Sequence, residues 1–496
     1  MSEQQSSYRQ IMKATSIFGG VQVFNIIIQI IRSKFVAILL GPAGMGIMGL
    51  LTATTGIISS LTNFGLGTSA VRDISAALGT SNEQRIGIVI TVVRRLVWLT
   101  GTIGLIMMGI LSPWLSLLTF GNKNYTFAFV WISVTLLFNQ LSSGQLVVLQ
   151  GLRKLNYLAK ANLSGSFIGL FVTIPIYYFW GLDGIVPGII ATSIISLLMS
   201  WYFSGKVEVK KAELSRAQTF AEGKSMLKMG FMISLNGMLV IGASYIIRIF
   251  ISRTGNIEQV GLYNAGFMII NTYVSLIFNA MATDYYPRLS AISNDNKLCK
   301  QTINQQAEIA LLILAPIMIV FLIFINWVII LLYSHKFIAV NEMIQWAALG
   351  MFFKTVGWSV GFIFLAKGTT KLFFWNELIA NIYILGLNLF GYYFGGLTGL
   401  GISFVVSYVI YTIQVVVVSK IKFEFAFDRT FMAIFAIQFG LAVAGFLAIK
   451  LLNQSLTYFI GVILILFSGW FSLMQLNKRL GLLTLLNKYK QNNKFN

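Results

Sequence analysis

The sequence predicts an all-α polytopic membrane protein with about fourteen transmembrane helices. They would form two pseudo-symmetric six-helix bundles around a central cationic cavity, plus two C-terminal helices. Three observations lead to this prediction. Long apolar stretches recur from Ser16 to Leu476, basic residues concentrate in alternate joints between them, and one motif of the first half returns in the second half.

The apolar stretches set the helix count. Hydrophobic residues make up 57% of the 496-residue chain and charged residues only 10%. One crossing of a bilayer core needs roughly twenty apolar residues, and a helix satisfies its own backbone hydrogen bonds there. The predicted spans are 16–40, 43–67, 88–111, 125–147, 160–180, 184–204, 229–251, 261–283, 309–333, 343–366, 373–394, 397–419, 431–450 and 455–476.

The distribution of basic residues predicts the orientation. The net charge is +21, which in a soluble protein would suggest nucleic acid. Here 28 Lys and Arg residues lie in the terminal segments and the joints on their side, and only four lie in the opposite joints. Cytoplasmic segments carry such an excess. We therefore expect a multi-pass membrane protein with both termini in the cytoplasm, and no nucleic-acid partner.

Two residue counts exclude several kinds of site. Cys299 is the sole cysteine and His335 the sole histidine, which excludes a disulfide framework and Cys or His clusters for a metal. We expect no metal and no cofactor. The polar segment Met1–Thr15 lacks the pattern of a cleaved signal peptide.

An internal repeat predicts the domain organisation. Tyr177–Gly184 matches Tyr392–Gly399 at six of eight positions. We call the separation between Tyr177 and Tyr392 the repeat offset. It pairs span one with span seven, so each copy holds six helices and enters the membrane in the same direction.

The pseudo-two-fold axis then stands along the membrane normal, an architecture that favours alternating access. The predicted parts are an N-terminal bundle, a cytoplasmic linker, a C-terminal bundle, and a two-helix segment with a basic cytoplasmic tail: 1–204, 205–228, 229–420 and 421–496.

Four cations fall within spans, where a charge is costly unless it faces a cavity or a partner. Lys354 lies near the middle of span ten, too deep to reach either interface, and is the first candidate for binding substrate. Arg32 and Lys34 are about 200° apart around span one. We expect Arg32 to face the cavity and Lys34 to extend outward. Arg248 lies nearly one repeat offset after Arg32, opposite it across the pseudo-axis, although it is also near the outer end of its span.

Glu377 is the one acid placed within a span. It is predicted either to form an ion pair with Lys354 or Lys371, or to carry a coupling proton. Because cations outnumber acids, the interior favours an anionic substrate such as a diphosphate, which the planar arginine fork suits.

Several segments resemble a known family. Leu40–Gly46, Pro287–Ser290 and Ser334–Ala339 resemble polysaccharide flippases of the multidrug/oligosaccharidyl-lipid/polysaccharide exporter superfamily. Residues 331–377 are most similar to the O-antigen and enterobacterial common antigen (lipid III) flippases. The matching residues there are Trp346, Gly350, Lys354, Gly357, Gly361, Ala366, Lys367 and Glu377.

This resemblance implies a flippase for undecaprenyl-diphosphate-linked oligosaccharide, an O-antigen or related surface glycan unit, moved from the cytoplasmic to the periplasmic leaflet. It implies two six-helix lobes around a basic cavity. It also leaves open an interaction with the polysaccharide polymerase machinery. Fourteen spans are similar to the lipid II flippase branch, where the extra helix pair shapes a groove for the polyprenyl tail. The same role is implied for spans thirteen and fourteen.

Two alternatives remain open. A cation-coupled multidrug exporter of the same superfamily would need intramembrane carboxylates, of which this chain has one at most. A membrane glycan polymerase or ligase would need chemistry on the outer side, where the joints are short and their acids scattered. Transport of the glycolipid changes no covalent bond, so we expect that the protein is not an enzyme.

Overall fold

The computed structural model describes residues 24–80, 82–210, 212–270 and 274–480, and within these ranges the chain is helical with no strand. The helices are α1 (24–39), α2 (Gly41–Thr62), α3 (Leu66–Gly79), α4 (Glu83–Phe120), α5 (Thr126–Gly151), α6 (Leu155–Trp180), α7 (Ile185–Gly205), α8 (Arg216–Thr254), α9 (Ile257–Met268), α10 (Val274–Ala291), α11 (Asn296–Leu332), α12 (Asn341–Ala366), α13 (Thr370–Phe423), α14 (Arg429–Leu451) and α15 (Gln454–Leu480).

The structure contains helices of membrane-spanning length. Among the described residues, ten helical segments are long and apolar enough to cross a bilayer. Two of them, Leu155–Gly205 and Lys371–Phe423, contain 51 and 53 residues, about twice the length that one crossing needs. The all-helical membrane fold is therefore confirmed, whereas the count of fourteen spans stays a prediction.

The sequence repeat is also visible in the helix boundaries. Helices α5 and α12 begin one repeat offset apart and end one repeat offset apart, and the beginnings of α6 and α13 are related in the same way. Gly181 breaks the helix between α6 and α7 with φ 54° and ψ −129°, and Gly396 interrupts α13 with φ 54° and ψ −138°. This conformation is open to glycine and costly for other residues. The shared motif therefore encodes the same reversal twice.

The chain divides into two compact units. Unit 1 contains residues up to Gly261 together with Leu332–Ser334, and unit 2 contains Leu262–Leu331 and the chain from His335 onward. The predicted linker, 205–228, and all of α8 lie within unit 1. These units are defined by contacts between residues, whereas the predicted domain boundaries came from the sequence repeat. The predicted boundaries therefore stay a prediction.

Hydrogen bonds join the C-terminal part of α8 to the C-terminal end of α4. Arg253 donates hydrogen bonds to the carbonyls of Leu117 and Leu118. The hydroxyls of Tyr245 and Thr119 are 2.7 Å apart. These contacts explain why the first helix after the linker packs with unit 1.

Within unit 1, the N-terminal parts of α2 and α9 meet in a reciprocal contact. A Cβ added at Gly46 would collide with the backbone of Ile257, and one added at Gly261 would collide with the backbone of Pro42. Gly46 and Gly261 are separated by the repeat offset, as are Pro42 and Ile257. Equivalent positions of the two repeats therefore touch each other, with glycine allowing the close approach.

Helix α3 was not predicted. The sequence placed residues 68–87 in a joint between spans, but Leu66–Gly79 is helical and buries Leu66, Ala70 and Ile74. This helix is too short to cross a bilayer, so a search for spans does not find it.

In unit 2, polar contacts tie the last two helices to the rest. The Gln438 side chain of α14 donates to the Ser468 carbonyl and the Ser472 hydroxyl of α15. Arg479 of α15 pairs with the largely buried Glu308 of α11 at 2.6 Å. Helices α14 and α15 are thus an integral part of unit 2.

Candidate functional site

Lys354 lies near the midpoint of α12, as the sequence predicted, and contacts two aromatic rings of α13. Its ammonium is 5.7 Å from the ring centroid of Phe404 and 5.2 Å from that of Tyr408. A ring face attracts a cation electrostatically, and more strongly where water is scarce. The side chain is half-buried.

Glycines on the same face of α12 make room for these aromatic rings. Gly350, Lys354, Gly357 and Gly361 follow each other at intervals of four, three and four residues, which places them on one helix face. An added Cβ would lie 2.5 Å from the Phe404 ring at Gly350, and 2.7 Å from the Tyr411 ring at Gly357. The glycines therefore allow α12 and α13 to pack closely around the lysine.

The aromatic side chains of α13 form a continuous column, which we call the aromatic column: Phe404, Tyr408 and Tyr411. The ring centroids of Phe404 and Tyr408 are 4.6 Å apart, and those of Tyr408 and Tyr411 are 6.2 Å apart, edge to face. The column begins beside Lys354 and ends at the Tyr411 hydroxyl.

That hydroxyl donates a hydrogen bond to Glu377. The distance from the Tyr411 hydroxyl to the Glu377 Oε1 is 2.8 Å. In the described part of the chain Glu377 forms no ion pair with Lys354 or Lys371. The structure thus places a tyrosine against this carboxylate where the sequence suggested a lysine, and the coupling role stays a prediction.

Other hydrogen bonds join the two halves of α13 on either side of this contact. Gln414 donates to the carbonyl and Oδ1 of Asn376, at 3.0 and 2.8 Å. Ser403 donates to Asn388 Oδ1 at 2.9 Å. We call these contacts, together with the Tyr411–Glu377 bond, the polar seam. Among its described members, Glu377 and Tyr411 are the ionisable pair.

The predicted cations of span one lie in unit 1. Arg32 donates to the Thr192 hydroxyl of α7 at 3.4 Å, and Thr192 in turn donates to the Gly188 carbonyl at 2.7 Å. Lys34 is half-buried, like Arg32.

Arg248 also lies in unit 1. Its guanidinium donates to the carbonyl and the hydroxyl of Ser244, one turn earlier in α8, with 3.0 Å to the carbonyl oxygen. The structure therefore brings Lys354 and Glu377 to one aromatic column in unit 2, and places Arg32 and Arg248 in unit 1. The convergence of all four cations on one cavity stays a prediction.

The sequence analysis missed Tyr408 and Tyr411. Their signal was their spacing, since Phe404, Tyr408 and Tyr411 recur at helical intervals, as do the glycines opposite them. Which helix faces which cannot be read from either pattern alone.

The sequence matches a family model described as polysaccharide biosynthesis protein over residues 35–342. The chain belongs to this family. The match covers more than half of the sequence, including α2 to α11, and confirms the resemblance to polysaccharide exporters noted from the motifs.

One curated relative is the putative O-antigen transporter of Shigella flexneri. It is 23% identical over 348 residues, which cover 68% of this chain and 80% of the relative. This similarity supports a membrane transporter of polysaccharide biosynthesis.

Solved structures share the fold. An inward-facing MATE family transporter of the MOP superfamily superposes with a TM-score of 0.67 at 16% identity, covering 81% of this chain and 94% of that one. The lipid II flippase MurJ, inward closed, gives 0.66 at 15% identity and covers 94% and 99%. A MOP superfamily transporter from Pyrococcus furiosus, described as having a binding pocket of reversed polarity, gives 0.57 at 16% identity and covers 88% and 96%. The protein therefore shares the fold of these structures.

Proposed function

We propose that this protein is a flippase for undecaprenyl-diphosphate-linked oligosaccharide, an O-antigen or related surface glycan unit. It would move the glycolipid from the cytoplasmic to the periplasmic leaflet of a bacterial inner membrane by alternating access. Both termini would lie in the cytoplasm, on the side of the basic joints.

The observation that carries this proposal is Lys354. A lysine in the middle of a membrane helix is expensive to bury and marks a binding or transport path. Glycines of α12 and the aromatic column hold it in place. We propose that its ammonium, with the guanidinium groups of Arg32 and Arg248, binds the diphosphate or acidic sugars, with Lys34 in a lesser role.

The prenyl tail would stay in lipid. Helix α14 lines an apolar cavity of about 270 Å³ together with α12 and the second half of α13. Its lining includes Phe353, Val416, Phe431 and Phe435. We propose that part of the tail lies along this surface, the role that the resemblance to lipid II flippases implies for the last two helices.

No bond is made or broken in this proposal, so the protein is not an enzyme, and a glycan polymerase would be a partner. The MATE neighbour supports a second candidate, a cation-coupled drug exporter. The feature of this chain that supports it is Glu377, the one acid predicted within a span. Export of ethidium from intact cells at a rate that depends on Glu377 would favour that alternative.

The test is glycolipid flipping in proteoliposomes. Wild-type protein should expose undecaprenyl diphosphate carrying a fluorescent disaccharide to an external quencher. Lys354→Ala should slow this flipping strongly and abolish surface glycan export while the protein still inserts. Loss of a charge-assisted contact worth about 1.5–3 kcal/mol slows a bound step roughly 10- to 100-fold.

Matched variants give the controls. Lys371→Ala removes an exposed lysine at the start of α13 and should leave flipping unchanged. Arg32→Ala should reduce flipping more than Lys34→Ala. Normal surface glycan in the Lys354→Ala strain would refute the site, and equal losses for Arg32 and Lys34 would refute the assignment of faces.

A further inference from the structure

Glu377 and Lys354 have opposite charges, yet the structure connects them through aromatic side chains. Lys354 lies against the Tyr408 ring, Tyr408 contacts Tyr411 edge to face, and Tyr411 donates its hydroxyl hydrogen to Glu377. This arrangement keeps a carboxylate in the same unit as the proposed substrate lysine without neutralising either charge by an ion pair between them.

The position of Tyr411 is tightly fixed. An added Cβ at Gly357 would lie 2.7 Å from its ring, and one at Gly361 would lie 3.4 Å from its hydroxyl oxygen. Close to it along the helix, Gln414 donates to the carbonyl and Oδ1 of Asn376 and so holds the two halves of α13 together beside the hydroxyl. The hydroxyl therefore has little freedom to leave Glu377 unless the helices move.

We propose that Tyr411 is a positioning residue that holds Glu377 as the proton-binding group of the transport cycle. The proposal rests on the proposed flippase function and deepens it, since it names the coupling ion and the residue that orients its site. Glu377 would take up one proton from water on one side of the membrane, becoming a neutral carboxylic acid, and return that proton to water on the other side. No other bond changes.

The chemistry of the contact favours a proton over a metal cation. Tyr411 presents a hydrogen, not a lone pair, to the carboxylate, and a hydroxyl donor suits a group that alternates between accepting and carrying a hydrogen. Tyr383 and Tyr408 are the neighbouring ionisable side chains of α13, and Lys354 is that of α12. A proton gained or lost at Glu377 thus changes the net charge at one end of the column that holds Lys354.

The experiment measures protons and lipid together. Proteoliposomes containing the full-length protein, a pH-sensitive dye inside, and undecaprenyl diphosphate carrying a fluorescent disaccharide report both fluxes at once. Wild-type protein should move protons only when the glycolipid is present. Tyr411→Phe keeps the ring but removes the hydroxyl, and should lower the ratio of protons to flipped lipid severalfold.

Two further variants separate positioning from simple support. Ser403→Ala removes a hydrogen bond between the same two halves of α13 that involves no ionisable group, and should leave the ratio unchanged. Glu377→Gln keeps an acceptor for Tyr411, so the contact and the fold persist, and should abolish lipid-dependent proton flux.

The outcomes are distinct. A wild-type ratio in Tyr411→Phe, lipid-dependent proton flux in Glu377→Gln, or lipid-dependent sodium flux in place of proton flux would each overturn this inference while leaving the flippase function intact. Failure of the wild-type protein to flip the probe would instead overturn the proposed function, and this inference with it.

Discussion

The helical hairpin formed by α6 and α7 in unit 1 and the one formed by the two halves of α13 in unit 2 are built on the same plan. Both reverse at a glycine with φ 54°, and both bury the tyrosine that opens the shared motif, Tyr177 and Tyr392. They pack against α5 and α12, which have identical lengths. The backbone of the two copies has therefore been retained.

The side chains between these helices differ in a systematic way. Ser142 of α5 and Ser196 of α7 share a hydrogen bond of 3.0 Å. The positions one repeat offset later are Gly357 and Tyr411, which are also in contact. A pair of small hydroxyls in the first copy is thus replaced by a glycine and a large aromatic residue in the second.

Charge follows the same division. The residues one repeat offset before Lys354 and Glu377 are Asn139 and Asn162. An amide hydrogen-bonds in the membrane without the cost of a buried charge, whereas a lysine or glutamate needs a special environment. The second copy therefore carries charge at positions where the first copy is neutral. It holds that charge with the aromatic column and with the space that Gly357 leaves for the Tyr411 ring, which we call the Gly357 notch.

The largest effect is expected when the second copy is given the residue type of the first copy at position 354. Lys354→Asn should slow glycolipid flipping about 10- to 100-fold, because a neutral amide replaces the charge-assisted contact with the diphosphate. Asn139→Ala, at the equivalent position of unit 1, is the matched control and should retain most of the activity. Equal losses in the two variants would show that the asymmetry has no functional meaning.

Filling the notch should have the next largest effect. Gly357→Ala places a methyl group 2.7 Å from the Tyr411 ring, and overpacking of this kind costs about 1–3 kcal/mol. Thermal unfolding in detergent, followed by tryptophan fluorescence, would detect it. Gly386→Ala, where nothing lies within 4 Å of the added methyl, is the control. An unchanged melting temperature for Gly357→Ala would show that α12 and α13 can separate freely.

The two reversal glycines should respond alike. Gly181→Ala and Gly396→Ala meet no neighbour within 4 Å, so their cost comes from backbone conformation alone, about 1–3 kcal/mol each. Matched drops in thermal stability would support structural equivalence of the hairpins. A drop in thermal stability at one glycine without a comparable drop at the other would show that the two hairpins are alike in sequence but not in their structural constraints.

The smallest effect is expected at the hydrogen bond between two serines in unit 1. Ser142→Ala removes the hydrogen bond to Ser196 and should destabilise the protein by about 0.6 kcal/mol, the average for such bonds between membrane helices. The same fluorescence measurement applies. A destabilisation larger than that of Gly357→Ala would reverse the ranking of the two packing sites.

Much of the fold could be predicted because the bilayer imposes helix length and apolar composition on every crossing. The repeat offset was visible in one motif, and the helix ends obey it. Helix α3 was missed because it does not cross the membrane, and the placement of α8 in unit 1 depends on contacts such as Tyr245–Thr119 that no periodicity reveals.

The site was predicted in part. Lys354 stood out by depth alone, since a charge in hydrocarbon is conspicuous in any sequence. The partner of Glu377 was not predicted, because opposite charge suggested a lysine. The partner is Tyr411, whose ring fits against Gly357 and whose hydroxyl reaches the carboxylate. Side-chain pairing between helices depends on which faces meet, and the apolar pattern of a membrane helix, hydrophobic on all sides, does not specify that.

The reciprocal contact of Gly46 with Ile257 and of Gly261 with Pro42 has a consequence for substitution. A contact in which each partner uses the same two positions is what identical subunits make on the two-fold axis of a homodimer. Here two stretches of one chain meet in that way, and a side chain at either glycine would collide with the backbone of the other stretch. The two glycines are therefore constrained as a pair, although they lie far apart in the sequence.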